Sequence, residues 1–191
     1  MIFMTAYFKK QMDKESNRRI AADISAYGKE VIDSELFRKA FAQKHHTNTT
    51  VGEHTLNVTA AALRMCYALE KTGLRLDKRA VTIGALCHDL GIIGRYEKFE
   101  NNRICCRLLP IDSVRISRKL VPEIDHKTEE IIRCHMWPLN GWMPTSAEGY
   151  LITVADKYSS IRELLYRPAL PLLRHETAGM ILGALVCGAV G

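Results

Sequence analysis

The sequence has few residues that interrupt regular structure and no segment long enough to cross a membrane. Six prolines and twelve glycines in 191 residues are too few for a fibrous or low-complexity protein. The apolar C-terminal segment AGMILGALVCGAVG is shorter than the roughly 18 residues that suggest a membrane span. We interpret it as a last helix packed on the body or on a second subunit, which allows a homo-oligomer, in preference to a membrane contact.

The cysteines also lack a recognisable pattern. The six form no C-x-x-C pair, and the N-terminal MIFMTAYFKK has too short an apolar run for a secretion signal. We therefore expect reduced thiols and a cytoplasmic protein.

Composition indicates one globular domain over residues 1–191, since 47% of the residues are hydrophobic and 25% are charged. The formal net charge of +6 favours small anionic ligands. It does not by itself indicate nucleic-acid binding, and we expect no stable nucleic-acid complex.

Helical signals occur along the chain, and no alternating strand, repeat or linker accompanies them. The sequence predicts a compact all-α bundle of about seven or eight helices, with a core over about 45–165, preceding N-terminal helices and an apolar C-terminal helix. One predicted helix ends at Gly73, another at Gly91, and the helix that follows Thr145 and Glu148 extends to Pro168. The predicted helix starts are Asp33, the Thr50/Glu53 capping box, Asp77, Asp112, Asp125 and the Thr145/Glu148 capping box.

Four of these helices bring an imidazole or a carboxylate to an apolar surface. His54 lies in a first turn, His88 and Asp89 end a second helix, His135 ends a third, and Asp156 lies within a fourth. Any one of them alone is compatible with a satisfied core histidine or a salt-bridged aspartate. Together they indicate an ion site, because buried carboxylates are costly unless they are paired or bind a metal.

The pair His88-Asp89 suits such a site because adjacent helical residues point about 100° apart. Two ligands from one helix therefore approach an ion from different directions. The small residues Gly84 and Ala85, one turn earlier, would let another helix come close.

The order of these residues resembles the H…HD…D signature of the HD-domain metal-dependent phosphohydrolases. VGEHTLNVT resembles the first-histidine motif, GALCHDLG the HD motif and LITVADKYSS the final-aspartate motif. IIRCHMWPLN resembles a segment of a bacterial branch of small, stand-alone HD proteins with an HMWPL motif. The resemblance covers roughly residues 45–165 and implies an all-helical fold and a divalent metal held by His54, His88, Asp89 and Asp156.

The resemblance also implies hydrolysis of a phosphate ester, often in a nucleotide. Two imidazoles and two carboxylates form a mixed N/O set that suits Mn, Fe, Co, Ni, Zn or Mg. A structural zinc site would instead be closed and rich in cysteine. We interpret Cys87 and Cys134, which precede His88 and His135, as packing residues.

The chain departs from the family pattern at two positions. Ile92 stands where many members carry a lysine in HD-x-G-K, so the basic group is predicted to be Arg95 or Lys157. Leu109 stands before Pro110 where the HMWPL branch is expected to have a further histidine. We interpret the nearby His126 as a solvated or capping residue and predict one metal per chain.

The remaining site predictions concern the substrate. We predict Asp89, His135, Lys157 and Arg95 as catalytic residues, and Arg95, Arg133, His135 and Trp137 as substrate-binding residues. Packing on the core remains an alternative for Trp137 and for Trp142. For His45 and His46 we prefer a surface helix end over the pocket. The segment Arg95–Lys119 holds seven basic residues, which form either a solvated face or a region that attracts phosphate.

These observations predict a phosphomonoesterase or phosphodiesterase that acts on a nucleotide or another small phosphorylated metabolite. A catalytically degenerate HD-fold nucleotide-binding or regulatory protein is the alternative, and Ile92 and Leu109 favour it. A structural metal protein, which chelation would unfold, is a second alternative.

Overall fold

The computed structural model describes residues 2–45 and 49–165, and within these ranges it confirms the predicted all-α fold. In these ranges the β-type pairing consists of an isolated bridge between Lys44 and Thr50. No helix in the described ranges combines the length and apolarity that a bilayer crossing requires. His46 and the predicted C-terminal helix lie outside the described residues.

Nine α-helices occur in the described ranges, and a single 3-10 turn, Leu90–Ile92, follows the fifth. Three of the nine are short, which accounts for the excess over the predicted seven or eight. The helices are α1 (Ile2–Tyr27), α2 (Lys29–Ile32), α3 (Glu35–Ala40), α4 (Val51–Glu70), α5 (Lys78–Cys87), α6 (Arg95–Lys98), α7 (Asn102–Leu120), α8 (His126–Cys134) and α9 (Ala147–Leu165).

Helix α5 is the centre of the bundle and carries the HD dipeptide at its end. Every residue from Ala80 to Cys87 is buried, with α4, α8, α1 and α9 packed around the helix. A Cβ at Gly84 would lie 2.6 Å from Cγ2 of Ile131 on α8. The small residue therefore permits the close helix approach that the sequence predicts.

Side-chain caps stabilise the first turns of helices that carry site residues, and three of the predicted caps are confirmed. The Thr50 hydroxyl accepts a hydrogen bond from the Glu53 amide, and the Glu53 carboxylate accepts one from the Thr50 amide at 2.8 Å. Asp77 and Asp125 accept hydrogen bonds from amides three residues later, at 3.0 and 2.7 Å. Each cap satisfies amides that the first helical turn leaves without partners.

The predicted start of a helix at Asp112 is wrong. Asn101 caps α7, which continues through the buried Pro110 to Leu120. A proline removes one helical hydrogen bond, and the packing of α7 on α8 and on the 3-10 turn keeps the helix continuous. The Asp112 carboxylate instead accepts a hydrogen bond from Arg115 at 3.1 Å.

Two other predicted starts are displaced by one residue. Ser34, not Asp33, caps α3 by accepting from an amide three residues later. Ser146, not Thr145, accepts from the Gly149 amide at 3.0 Å. The Glu148 carboxylate is therefore not part of a capping box and accepts from the Asp77 amide of a distant helix start at 2.9 Å.

The predicted end of α5 at Gly91 is also wrong by several residues. The helix ends at Cys87, His88 is its C-cap and the 3-10 turn follows Asp89. A Cβ at Gly91 would lie 2.6 Å from the carbonyl oxygen of Leu109. Glycine therefore lets this turn pack directly against the backbone of α7.

Candidate metal centre

The four residues predicted as metal ligands lie together in one buried cluster. His54 comes from the first turn of α4, His88 and Asp89 from the end of α5, and Asp156 from the middle of α9. His54 Nε2 is 3.1 Å from Asp156 Oδ1. His88 Nε2 is 3.5 Å from Asp89 Oδ2 and 3.9 Å from Asp156 Oδ1. Three distant sequence segments therefore present nitrogen and oxygen donors to one point.

His88 and His135 are held in the same way at the ends of α5 and α8. Nδ1 of His88 is 2.7 Å from the Ala85 carbonyl oxygen, and Nδ1 of His135 is 2.7 Å from the Ile132 carbonyl oxygen. A backbone carbonyl can only accept, so each Nδ1 donates a proton, and in the neutral ring Nε2 keeps its lone pair.

The Nε2 atoms of these two histidines are buried, and no hydrogen-bond partner reaches them among the described residues. His135 Nε2 lies 3.5 Å from Asp89 Oδ1, beyond the usual hydrogen-bond range. A buried polar atom without a partner is costly. A cation between His88 and the carboxylates would remove that cost for His88.

His54 is oriented by Glu163, a residue that the sequence analysis missed. His54 Nδ1 lies 3.0 Å from Glu163 Oε2, and the same carboxylate accepts hydrogen bonds from Thr49 and Asn57 at 3.1 and 2.9 Å. A carboxylate behind a ligating histidine fixes the ring and increases its basicity. The available sequence signal was the seven-residue spacing from Asp156, which places Glu163 two turns further along the same face of α9.

His45 was predicted on the surface, and that prediction is wrong. Its side chain is only 11% exposed, and Nε2 lies 3.6 Å from Asp89 Oδ2. Its ring centroid is 4.5 Å from that of His54. His45, nine positions before His54 in the sequence, therefore lies beside it in the structure.

The charges in the cluster stabilise one another. Burial opposes protonation of His54, but its hydrogen bonds with Asp156 and Glu163 prevail and raise its pKa to about 10. Burial lowers the pKa of His88. Burial would raise the pKa of Asp89, but the surrounding imidazoles, with His88 the largest influence, hold it well below the usual value. The centre therefore favours ionised carboxylates, which are the form that binds metal.

The other predicted catalytic and substrate-binding residues do not share one location in the structure. Lys157 Nζ donates to the His135 carbonyl oxygen at 3.1 Å and lies 3.9 Å from Asp156 Oδ2, so it borders the cluster. Arg95 donates to Asn102 at the start of α7. The guanidinium of Arg133 lies 4.9 Å from the Trp142 ring centroid. The roles of these residues remain predictions.

The observed contacts favour a partly structural role for Trp137 and for the basic segment. The Trp137 ring packs edge-on against Tyr150 at 6.1 Å. In α7, Arg118 forms a bidentate ion pair with Glu129.

The two departures from the family pattern, Ile92 and Leu109, are both buried in an apolar core cluster.

The donor set fits a divalent ion. Two overlapping triads each bring ligand atoms within 4.8 Å of one another: His54, His88 and Asp156, and His45, His54 and Asp89. Cys87 and Cys134 are buried with thiol pKa values of about 12, raised mainly by burial. Neither cysteine belongs to these triads in the described residues, so the clustered donors are imidazole nitrogen and carboxylate oxygen.

Comparison with known proteins gives one match. A family model described as the HD domain matches residues 51–161, which is more than half of the chain. The matched range contains His54, His88, Asp89, His135 and Asp156, but it leaves out His45 and Glu163. No curated protein and no solved structure matches the chain. The resemblance to the HMWPL branch remains a prediction.

Proposed function

Because the chain belongs to the HD-domain family, we propose that it is a metal-dependent phosphohydrolase that acts on a nucleotide or another small phosphorylated metabolite. One observation carries the proposal. The buried Nε2 atom of His88, which has no hydrogen-bond partner among the described residues, faces the carboxylates of Asp89 and Asp156 at 3.5 and 3.9 Å. Such a cluster is costly when empty and is satisfied by a divalent cation.

In this proposal His54, His88, Asp89 and Asp156 hold one ion. When bound, a divalent ion polarises a phosphoryl oxygen and makes a water molecule more acidic. Glu163 keeps the His54 ring in place from the side away from the cluster. The carbonyl of Ala85 does the same for His88, so the donors are oriented before any ligand binds.

His135 is the proposed proton donor. Hydrolysis adds water to phosphorus and breaks the bond to the leaving oxygen, which needs a proton or a strong hydrogen bond. His135 Nε2 is directed into the cluster and lies 3.5 Å from Asp89 Oδ1. Lys157 holds the carbonyl of His135, and its ammonium favours an anionic substrate beside the cluster.

The test is a hydrolysis screen on purified protein that has been stripped and then reloaded with Mn, Co, Ni, Zn or Mg. Phosphomonoesters, cyclic nucleotides and dinucleotides are the substrates. We expect release of phosphate or nucleotide with at least one metal and none from Asp156→Ala. Absence of hydrolysis in a metal-loaded, folded protein across these classes would contradict the proposal.

A regulatory nucleotide-binding protein is the second candidate. It is favoured by the apolar burial of Ile92 and Leu109, at positions where the family pattern is expected to carry a lysine and the HMWPL branch a further histidine. In that case the metal-loaded chain would bind a nucleotide in calorimetry without turning it over.

A further inference from the structure

His45 lies against the same carboxylate oxygen that His54 and His88 approach. The distances from Asp89 Oδ2 to the three Nε2 atoms are 3.6 Å for His45, 3.8 Å for His54 and 3.5 Å for His88. The spread is only 0.3 Å, so the three imidazoles surround that oxygen almost equally. His45, His54 and Asp89 also form one of the two compact donor triads.

The backbone that carries His45 is fixed to the site from both ends. The His45 amide donates to the Thr49 carbonyl at 2.9 Å, beside the bridge between Lys44 and Thr50. The side-chain amide of Gln43 donates to the Ile92 carbonyl at 2.8 Å and accepts from the Gly94 amide at 2.7 Å. Gln43, two residues before His45, is thus hydrogen-bonded to the turn that follows His88-Asp89.

We propose that His45 is a fifth protein ligand of the ion held by His54, His88, Asp89 and Asp156. The inference rests on the proposed function, because it assumes that the cluster binds a metal. Five protein donors in an octahedral shell leave one position for an exchangeable ligand, where four would leave two. The ion is then held more tightly, and substrate or water has a single direction of approach.

A simpler role is available to His45, namely a contact that positions Asp89 without touching the ion. The two roles differ in the number of water molecules bound to the metal. Mn²⁺ alone is a suitable probe, because water-proton relaxation counts its exchangeable water ligands, and pulsed electron paramagnetic resonance counts its coordinating imidazole nitrogens.

The experiment compares Mn²⁺-loaded wild type with His45→Gln and with Lys44→Ala, whose side chain is exposed on the same loop. We expect one exchangeable water and three imidazole nitrogens in wild type, but two of each in His45→Gln. Chelator competition should show at least about a tenfold loss of Mn²⁺ affinity, because removing even a residue that only supports a ligand costs about 10–100-fold. Lys44→Ala should match wild type.

Two results would overturn the inference, and they are distinguishable. If wild type and His45→Gln bind Mn²⁺ with the same water and nitrogen counts, His45 is not a ligand while the proposed metal site stands. If folded wild type binds no Mn²⁺, Co²⁺ or Zn²⁺, the proposed function fails together with the inference. Circular dichroism establishes that each variant is folded, and His45→Asn replaces His45→Gln if the latter is not.

Discussion

The two oxygens of Asp89 face very different surroundings. Oδ2 is approached by the imidazoles of His45, His54 and His88, at 3.5 to 3.8 Å. Oδ1 faces the imidazole of His135 at 3.5 Å. We call these the crowded side and the sparse side of Asp89.

In our proposal the crowded side binds the ion, and the sparse side is where the substrate reacts. The crowded side, with Asp156, offers enough donors to hold a cation, and His54 there has a supporting carboxylate in Glu163. On the sparse side, a second ion would have His135 and a shared Asp89 as its protein ligands in the described residues. We therefore predict one metal per chain, with the sparse side left for the phosphate and the leaving group.

The largest expected effect comes from removing the residue that joins the two sides. Asp89→Ala should abolish metal binding, because it removes a ligand from the crowded side and the charge that balances three imidazoles. The protein should remain folded, since catalytic metal sites contribute less to folding than closed structural ones. Metal content by mass spectrometry, with circular dichroism alongside, measures both.

His88→Ala should lose the metal as well and serves as an independent check. Full metal occupancy in Asp89→Ala would show that Asp89 is not a metal ligand. The comparison of its two sides would then have no basis. Unfolding of the wild type by a chelator would instead support a structural metal protein.

The next effect concerns the sparse side alone. His135→Ala should keep one metal per chain and lose about 10²–10⁴-fold in kcat, the usual contribution of general acid–base catalysis. Metal stoichiometry and hydrolysis rates are measured on the same preparation. Two metals in wild type and one in His135→Ala would show that His135 is a ligand and that the two sides form a dinuclear centre.

A smaller effect should follow from the carboxylate behind His54. Glu163→Gln keeps the shape but weakens the hold on Nδ1 of His54, and should lower metal affinity about 10–100-fold. Chelator competition gives the affinity, and Glu123→Gln, at an exposed position outside the cluster, is the matched control. Equal affinities in the two variants would mean that Glu163 serves the fold and not the crowded side.

The smallest effect tests the helix start that carries His54. Thr50→Ala removes one half of the capping box and should lower the free energy of unfolding by about 0.5–2 kcal/mol. Urea denaturation of the chelated proteins measures this, with Thr145→Ala, at an exposed position outside α4, as control. Metal stoichiometry should stay at one, and its loss would mean that local helix fraying alone dismantles the crowded side.

The sequence was a good guide wherever the determining interaction is local. The caps at Thr50, Asp77 and Asp125 act on amides three residues away, and each was predicted correctly. The errors at Asp33 and Thr145 arose because an adjacent serine can cap equally well. At Pro110 the local rule failed, since the packing of α7 outweighs one lost hydrogen bond.

The same distinction between local and long-range interactions applies to the site. The order of His54, His88-Asp89 and Asp156 on apolar helical faces indicated the family and the four clustered donors, because burying such groups in three helices has few physical outcomes other than an ion site. His45 and Glu163 carried no comparable local signal. Glu163 meets His54 across 109 residues of sequence, and His45 lies 44 positions before Asp89 on a loop.

The amino-acid sequence by itself therefore determined the helices, their apolar faces and the residues able to bind an ion. The tertiary structure alone decided which side chains surround each oxygen of Asp89. The physical reason is that helix periodicity fixes the direction of a side chain within a few residues, whereas a distance between atoms on separate helices and loops depends on how the whole bundle packs.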